Sequence, residues 1–344
     1  MGVALTDFVE GKAITLDELS GKTIAIDAFN FLYQFLAVMR GPDGSLLTDS
    51  KGNVTSHLVG LFARTTKLMQ AGIKCVYVFD GEHPELKSKE IERRSALKAA
   101  AQKEYNIAKE REDIDGMKKF ASRTMRLTPE MVVDAKALLV ALGVPVIQAP
   151  SEGEAQAAIM AKRGDVDFIA SQDTDALLFG APKVVRNLSI LGRRKKVSKV
   201  TFEYVSPQVV TLSDVLNELG IDRKQLIVLS ILVGTDFNVG GIKGIGPKTA
   251  LKMVKSTTDY DVMFAQAGWE KFFTHSWHDV YDLFENMPAV TDYKLEWKPV
   301  NEAAIIDLLV GKFEFNADRV KSTLADVKKK TSTSAQKGLN AFFG

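Results

Sequence analysis

The chain has 344 residues, 46% hydrophobic and 26% charged, the makeup of a globular protein of one large domain with appendages, or of two domains, and not of a disordered chain. No apolar run reaches the roughly 18 residues that cross a bilayer, and the N-terminus MGVALTDFVEGK lacks the basic flank and apolar core of a secretory signal, so a cytoplasmic protein is expected. The net charge of +2 does not by itself announce a nucleic-acid partner, because binding to phosphates depends on local clustering of Lys and Arg.

In chain order, β-type runs recur, each followed by a turn and a helical pattern: TIAID (23–27), CVYVFD (75–80), PVIQA (145–149), DFIAS (167–171) and KVTFEYV (199–205). This alternation predicts an α/β fold, a mostly parallel twisted sheet with helices on both faces. The single cysteine, Cys75, cannot form an internal disulfide and reads as a small buried hydrophobe. Between Pro84 and Thr128 the chain is dense in Lys, Arg and Glu with only Gly116 as a breaker, which predicts one or two exposed helices. From about residue 211 the pattern is mainly helical and includes LIVLSILVGTDF and the Gly-rich GGIKGIGPKTALKMV. The tail KKKTSTSAQKGLNAFFG reads as a polar, lysine-led linker ending in aromatics.

Seven acids stand at strand ends or helix starts: Asp27, Asp80, Glu152, Glu154, Asp173, Asp175 and Asp236. Ligands of parallel sheets bind beyond the carboxyl ends of the strands, so these acids are expected to share one cleft. Like charges about 4 Å apart repel by about 4 kcal/mol per pair at an effective dielectric near 20, and such a cluster needs cations. All-oxygen ligation favours Mg²⁺ or Mn²⁺, while four histidines and one cysteine argue against zinc. Paired hard cations suit hydrolysis of a phosphodiester. Each segment also has a plainer reading: Ser151-x-x-Glu154 matches a helix capping box, and Asp173-x-Asp175 matches a turn.

The segments TIAIDAFNFLYQFL, TSHLVGLFARTTKLM, GIKCVYVFDGEHPELKSKE, APSEGEAQAA, ASQDTDALLFG and ILVGTDFN followed by GIKGIGPKTA resemble, in order, the successive motifs of the flap endonucleases. The resemblance implies the PIN-like 5′ nuclease fold with a helical arch and a helix-two-turn-helix DNA-binding element. It implies that Asp27, Asp80, Glu152 and Glu154 hold one Mg²⁺ and Asp173, Asp175 and Asp236 a second, with Mn²⁺ as a substitute, and that Lys87, Arg94 and Asp175 serve catalysis. Lys87 and Arg94 would steady charge on the scissile phosphate. Tyr33 would stack on a base, although Phe29 and Phe31 beside it fit a core aromatic equally well. Arg40 and Arg64 would contact DNA, or be ordinary surface charge, and Gly2 would approach the site.

Residues 84–128 resemble the arch, whose Arg93, Lys98, Lys103, Arg123 and Arg126 would track a phosphate backbone. In the Gly-rich segment, Pro247 separates Gly246 from Lys248, which disfavours a Walker loop. Gly234, Gly244, Gly246 and Lys248 instead match the element that grips duplex DNA, often with a K⁺ ion. The tail pattern Gln336-x-x-Leu339-x-x-Phe342-Phe343 matches the box by which such enzymes dock on a sliding clamp.

The expected organisation is an N-terminal nuclease region over 1–98, the arch over 84–128, an internal nuclease region over 116–258 with the helix-two-turn-helix near 234–255, a C-terminal helical region over 259–327 and a flexible tail over 328–344 with the clamp box at 336–344. The chain stops just after that box and carries Val239-Gly240 before the Gly-rich motif, both resembling archaeal members. The implied function is cleavage of 5′ flaps at single-strand/duplex junctions, with 5′-to-3′ exonuclease activity on nicked or gapped duplex, by a monomer in the archaeal cytoplasm. The implied roles are maturation of lagging-strand fragments and long-patch base excision repair. The alternatives are a related junction or bubble nuclease and a non-catalytic, clamp-tethered DNA-binding scaffold.

Overall fold

Among the described residues nine strands form in chain order: β1 (Lys12–Ala13), β2 (Thr23–Asp27), β3 (Lys74–Phe79), β4 (Val146–Gln148), β5 (Phe168–Ala170), β6 (Lys183–Arg186), β7 (Gly192–Lys195), β8 (Phe202–Val205) and β9 (Gln208–Thr211). They are seen in a computed structural model that describes residues 10–111, 113–121, 123–190, 192–195 and 202–343; the side chains of 114, 117, 118, 192–195, 202, 203 and 331–343 are outside that description. Gly2 and the clamp-box side chains Gln336, Leu339, Phe342 and Phe343 therefore lie outside the described residues. The chain divides into two compact units, one of residues 1–14, 80–94 and 148–291, the other of residues 15–79, 95–147 and 292–344.

In the first unit the strands lie in the order β1-β9-β6-β5. β5 and β6 pair in parallel, with Ile169 opposite Val184, while β9 runs antiparallel to β6 and β1 antiparallel to β9. The KVTFEYV run expected to join the sheet instead supplies β8, which pairs antiparallel with β7 in a separate two-stranded hairpin. Its β propensity makes it a strand, but propensity does not choose the partner: β9, only two residues on, pairs with β6 and β1 instead. β6 and β9, four residues each, are not among the β-type runs legible in the sequence.

Two helices of this unit frame the Gly-rich segment. Arg223–Val233 starts with a reciprocal capping box, the Asp222 side chain accepting from the Gln225 amide while the Gln225 side chain accepts from the Asp222 amide. Pro247–Ser256 starts with proline in its first turn, where the missing N–H costs nothing. Between them Gly234 has φ +115°, and a Cβ there would lie 2.6 Å from the Gly241 amide nitrogen, so only glycine lets the two turns close on each other.

In the second unit β2 and β3 pair in parallel from Thr23 opposite Lys74 to Asp27 opposite Val78. Helices Ala28–Val38 and Ser56–Gln70 pack so closely that a Cβ on Gly60 would sit 2.3 Å from Cγ of Phe35. Phe31 makes edge contacts with Phe35 and Tyr77, whose hydroxyl shares a 2.8 Å hydrogen bond with Thr65. Burying Phe31, Phe35, Tyr77 and Phe79 stabilises the unit by roughly 2 kcal/mol per ring. The charged stretch forms helices Ser88–Glu110 and Ile114–Ala121, as its composition predicts. Among the described residues no helix is long and apolar enough to cross a membrane.

Candidate active site

The site begins where β3 ends. Gly81 donates its amide to the Ser151 carbonyl at 2.7 Å and Glu82 donates to Pro150 at 3.1 Å, while the Ser151 hydroxyl donates back to the Glu82 carbonyl at 2.9 Å. A Cβ on residue 81 would lie 2.3 Å from the Ala149 carbonyl oxygen, so glycine permits this approach. The contact brings Asp80 Oδ1 to the Gly153 amide at 2.7 Å, in the first turn of helix Gly153–Lys162, where free N–H groups and the helix dipole favour an anion.

The N-cap of that helix is Glu152, and the Ser151 capping box does not form. Glu154 accepts a 2.9 Å hydrogen bond from the Ser171 hydroxyl, and that same oxygen accepts the Asp173 amide at 3.2 Å. Glu154 and Asp173 are thus joined through Ser171. Asp175 follows as the first residue of helix Asp175–Leu178.

Lys87, in the 3-10 turn Glu85–Lys87, binds Glu152 Oε2 and lies 3.6 Å from Asp236 Oδ2. Arg94, in the second turn of the helix Ser88–Glu110, donates through Nη2 to both oxygens of Asp236 at 2.9 and 2.8 Å. Lys87 is 9% and Glu152 7% exposed, so each needs the other: removing one partner of a buried pair costs roughly 3–5 kcal/mol. Burial pulls the Lys87 ammonium down, but Glu152, Asp236 and Asp80 outweigh it and hold the group above its ordinary value. Burial pushes Glu152 up, yet the His83 hydrogen bond and Lys87 bring it below the usual range. Asp80 is raised, first by burial and then by the Glu152 charge.

Asp236 is held in place by its neighbours. The Asn238 side-chain oxygen accepts from the Thr235 amide and hydroxyl at 3.1 and 2.7 Å, the Phe237 amide donates to the Thr235 hydroxyl at 3.1 Å, and the Asn238 amide group donates to the Ile231 carbonyl at 2.7 Å. This knot lies just past the helix Arg223–Val233, so Asp236 and the Gly-rich turn share a base. Gly244 and Gly246 are exposed with nothing within 4 Å of a Cβ, and Lys248 is exposed in the first turn of Pro247–Ser256. Open backbone and a cation at a helix start suit a phosphate backbone.

In the second unit, buried Asp27 caps helix Ala28–Val38, accepting the Asn30 amide at 3.0 Å. Tyr33 lies on that helix with the Lys98 ammonium 4.8 Å from its ring centroid, which joins an aromatic face to an arch cation. Arg40 spends two nitrogens on its own loop, donating to the Gly44 carbonyl at 2.7 Å and the Ala37 carbonyl at 3.3 Å. Arg64 is half-buried on helix Ser56–Gln70, and burial lowers its pKa.

Three further residues shape the site without having drawn notice in the sequence: Glu90, Ser171 and Asn238. Glu90 and Arg94 do stand one helical turn apart, a spacing that signals an ion pair but not its burial. Among the described residues no three His, Cys, Asp or Glu side chains form a group that could hold a metal ion. The donors nonetheless fit hard cations in chemistry. They are carboxylate oxygens, and Asp80 and Glu152 are close enough that the charge of one opposes ionisation of the other.

The chain matches the XPG N-terminal domain over residues 1–101 and the XPG I-region over residues 143–236. The flap endonuclease 1 of Hyperthermus butylicus is 50% identical over 332 residues, 96% of this chain and 95% of the relative. The chain belongs to the flap endonuclease family. The flap endonuclease 1 of Thermococcus onnurineus is 47% identical over 100% of this chain and 99% of its own. The solved flap endonuclease-1 from Methanococcus jannaschii superposes with a TM-score of 0.76 at 39% identity, covering 97% of this chain and 100% of that one. As a flap endonuclease the chain is a structure-specific nuclease, a hydrolase acting on DNA, and its α/β fold is the one the family uses.

Proposed function

We propose that this flap endonuclease cleaves 5′ flaps at single-strand/duplex junctions with Mg²⁺, its own carboxylates holding the ions and Lys87 and Arg94 stabilising the transition state. The observation that carries the reading is that Lys87 and Arg94 converge on Glu152 and Asp236, residues 65 and 142 positions away. Asp80, Glu152 and Glu154 would hold one Mg²⁺ and Asp173, Asp175 and Asp236 a second, with Asp27 added to the first set by the family pattern; Mn²⁺ would substitute. Bound Mg²⁺ supplies activation of water and stabilises the departing oxygen. The fixed cations of Lys87 and Arg94 neutralise the carboxylates and offer positive charge where the scissile phosphate gains negative charge.

Duplex DNA would be gripped by the turn at Gly234, Gly244, Gly246 and Lys248 with a K⁺ ion. Tyr33, Arg40, Arg64 and Gly2 would add contacts near the cut, and the arch would pass the flap. The tail residues Gln336, Leu339, Phe342 and Phe343 would dock a monomer on a sliding clamp. The proposed setting is the cytoplasm, with a 5′-to-3′ exonuclease acting beside the flap activity in lagging-strand maturation and long-patch base excision repair.

A 5′-labelled flap duplex incubated with Mg²⁺ and either wild type or Asp175→Ala tests the central reading. Wild type is expected to release a short product and the variant to release almost none. No Mg²⁺-dependent product from wild type refutes the reading, and a stronger cut on a bubble than on a flap moves it to the junction nucleases.

A further inference from the structure

We infer that Glu90 is a positioning residue for cleavage, holding the Arg94 guanidinium in the orientation from which it reaches both Asp236 and the scissile phosphate. The inference rests on the role proposed above for Arg94.

Glu90 lies in the first turn of the helix Ser88–Glu110, 2% exposed in a helix whose other acids face water. Its Oε1 accepts from Arg94 Nε at 2.5 Å and from Arg93 Nη2 at 2.7 Å, and its Oε2 accepts from Arg93 Nε at 2.6 Å. Both oxygens are therefore used. A solvated i,i+4 pair on a helix contributes only tenths of a kcal/mol, and its side chains stay free to rotate. Burial changes that, because a carboxylate taken out of water cannot give up its partners without facing the lost solvation alone.

The geometry about Arg94 gives this anchoring a consequence. The guanidinium is planar, so fixing two of its nitrogens fixes the third. Nε is held by Glu90 and Nη2 by Asp236, from opposite sides in sequence, 4 and 142 residues away. Among the described residues Nη1 takes no partner, and the side chain is 40% exposed. Nη1 is thus a donor with a set direction at the edge of the carboxylate pocket. Without Glu90, Arg94 would hang on Asp236 alone, a residue that must also serve an ion, and would sweep the rotamers open to a long side chain. A fixed donor costs no reorganisation when charge develops, whereas a mobile one must first be ordered.

Arg93 shares Glu90 but does not reach Asp236, so it is not the group being positioned; its two bonds complete the carboxylate's shell.

The test is a double-mutant cycle on the full-length protein with a 5′-labelled flap duplex, reading the single-turnover rate with Mg²⁺ and the dissociation constant in EDTA, alongside the Tm. Glu90→Gln keeps the size and one acceptor but loses the charge; Glu90→Ala removes both. Misplacing a reacting or stabilising group by about 1 Å can cost up to about 100-fold in rate, and a factor of about 10 to 100 is expected here. Glu90→Ala is expected to slow cleavage by about that factor with less than a threefold change in the dissociation constant, and Glu90→Gln to slow it by less. The decisive arm is Glu90→Ala with Arg94→Ala, expected to be no slower than Arg94→Ala alone, because the carboxylate acts through the arginine.

If Arg94→Ala is slow and Glu90→Ala matches wild type, the positioning role is wrong while the proposed function stands. If the two losses multiply in the double variant, Glu90 acts by another route and the inference fails. If Arg94→Ala itself cuts at the wild-type rate, the role given to Arg94 fails first and this inference with it. Glu90→Gln, being isosteric, separates a rate effect from a folding defect: a fall in rate at unchanged Tm supports positioning, and a rate that follows Tm alone overturns it.

Discussion

Two buried polar places in this molecule are managed in opposite ways. At the carboxylate site of the first unit the buried charges Lys87, Glu152 and Glu90 are paired, Lys87 with Glu152 and Glu90 with two arginines, one of which, half-buried Arg94, also holds Asp236. In the second unit His57, 1% exposed on helix Ser56–Gln70, has neither ring nitrogen hydrogen-bonded, and burial pulls its pKa down to about 4 against the weaker pull of Asp134. In the first place buried charge is met by counter-charge; in the second the buried imidazole is left neutral. The paired pocket is a place built to hold charge, and the histidine is simply part of a core.

The largest expected effect tests the paired side. Lys87→Ala removes a fixed cation and leaves Glu152 buried beside Asp80; single-turnover cleavage should fall about 10²- to 10³-fold. A rate within threefold of wild type would mean that the pocket's cations serve stability alone.

Acid should expose the unpaired side. Because the His57 pKa is depressed in the fold, the ring adds no pH-dependent cost above pH about 6.5, and stability is lost as pH falls from there toward about 4. The full loss is about 3 kcal/mol, read as a falling urea midpoint across that window. His57→Leu should flatten the slope between those pH values, and an unchanged slope would show that the ring is already protonated or not buried.

Packing around the same helix sharpens the contrast. Gly60→Ala places a methyl against Phe35 and should lower stability by about 1–3 kcal/mol. The smallest effect belongs to exposed Lys248. Its change to Ala should weaken duplex binding modestly and reduce the slope of log K against log salt by about one unit, a loss spread evenly over DNA sequences.

Part of this was readable along the chain. Strand-then-helix periodicity located β2, β3, β4 and β5, because three to six consecutive residues decide a strand and a following turn marks its end. The acids, the Gly-rich turn and the arch composition were equally local. The hairpin of β7 and β8 was not, since KVTFEYV carries the propensity of a sheet strand and nothing within the run chooses its partner. The Ser151 capping box failed for a similar reason. The four-residue pattern was present, but Ser171, seventeen positions on, outcompeted it for Glu154.

The sequence by itself determined the supply of chemistry: seven acids at the ends of elements, cations in the turn and helix that follow Asp80, and glycines where the backbone must come close. Local propensity and residue type suffice for that. Only the tertiary structure decided the pairings, which carboxylate Lys87 would meet and that Arg94 would reach Asp236 as well as Glu90. Whether an ionised side chain is buried, and against what, depends on residues tens to hundreds of positions away, and burial sets whether a charge is worth tenths of a kcal/mol or several.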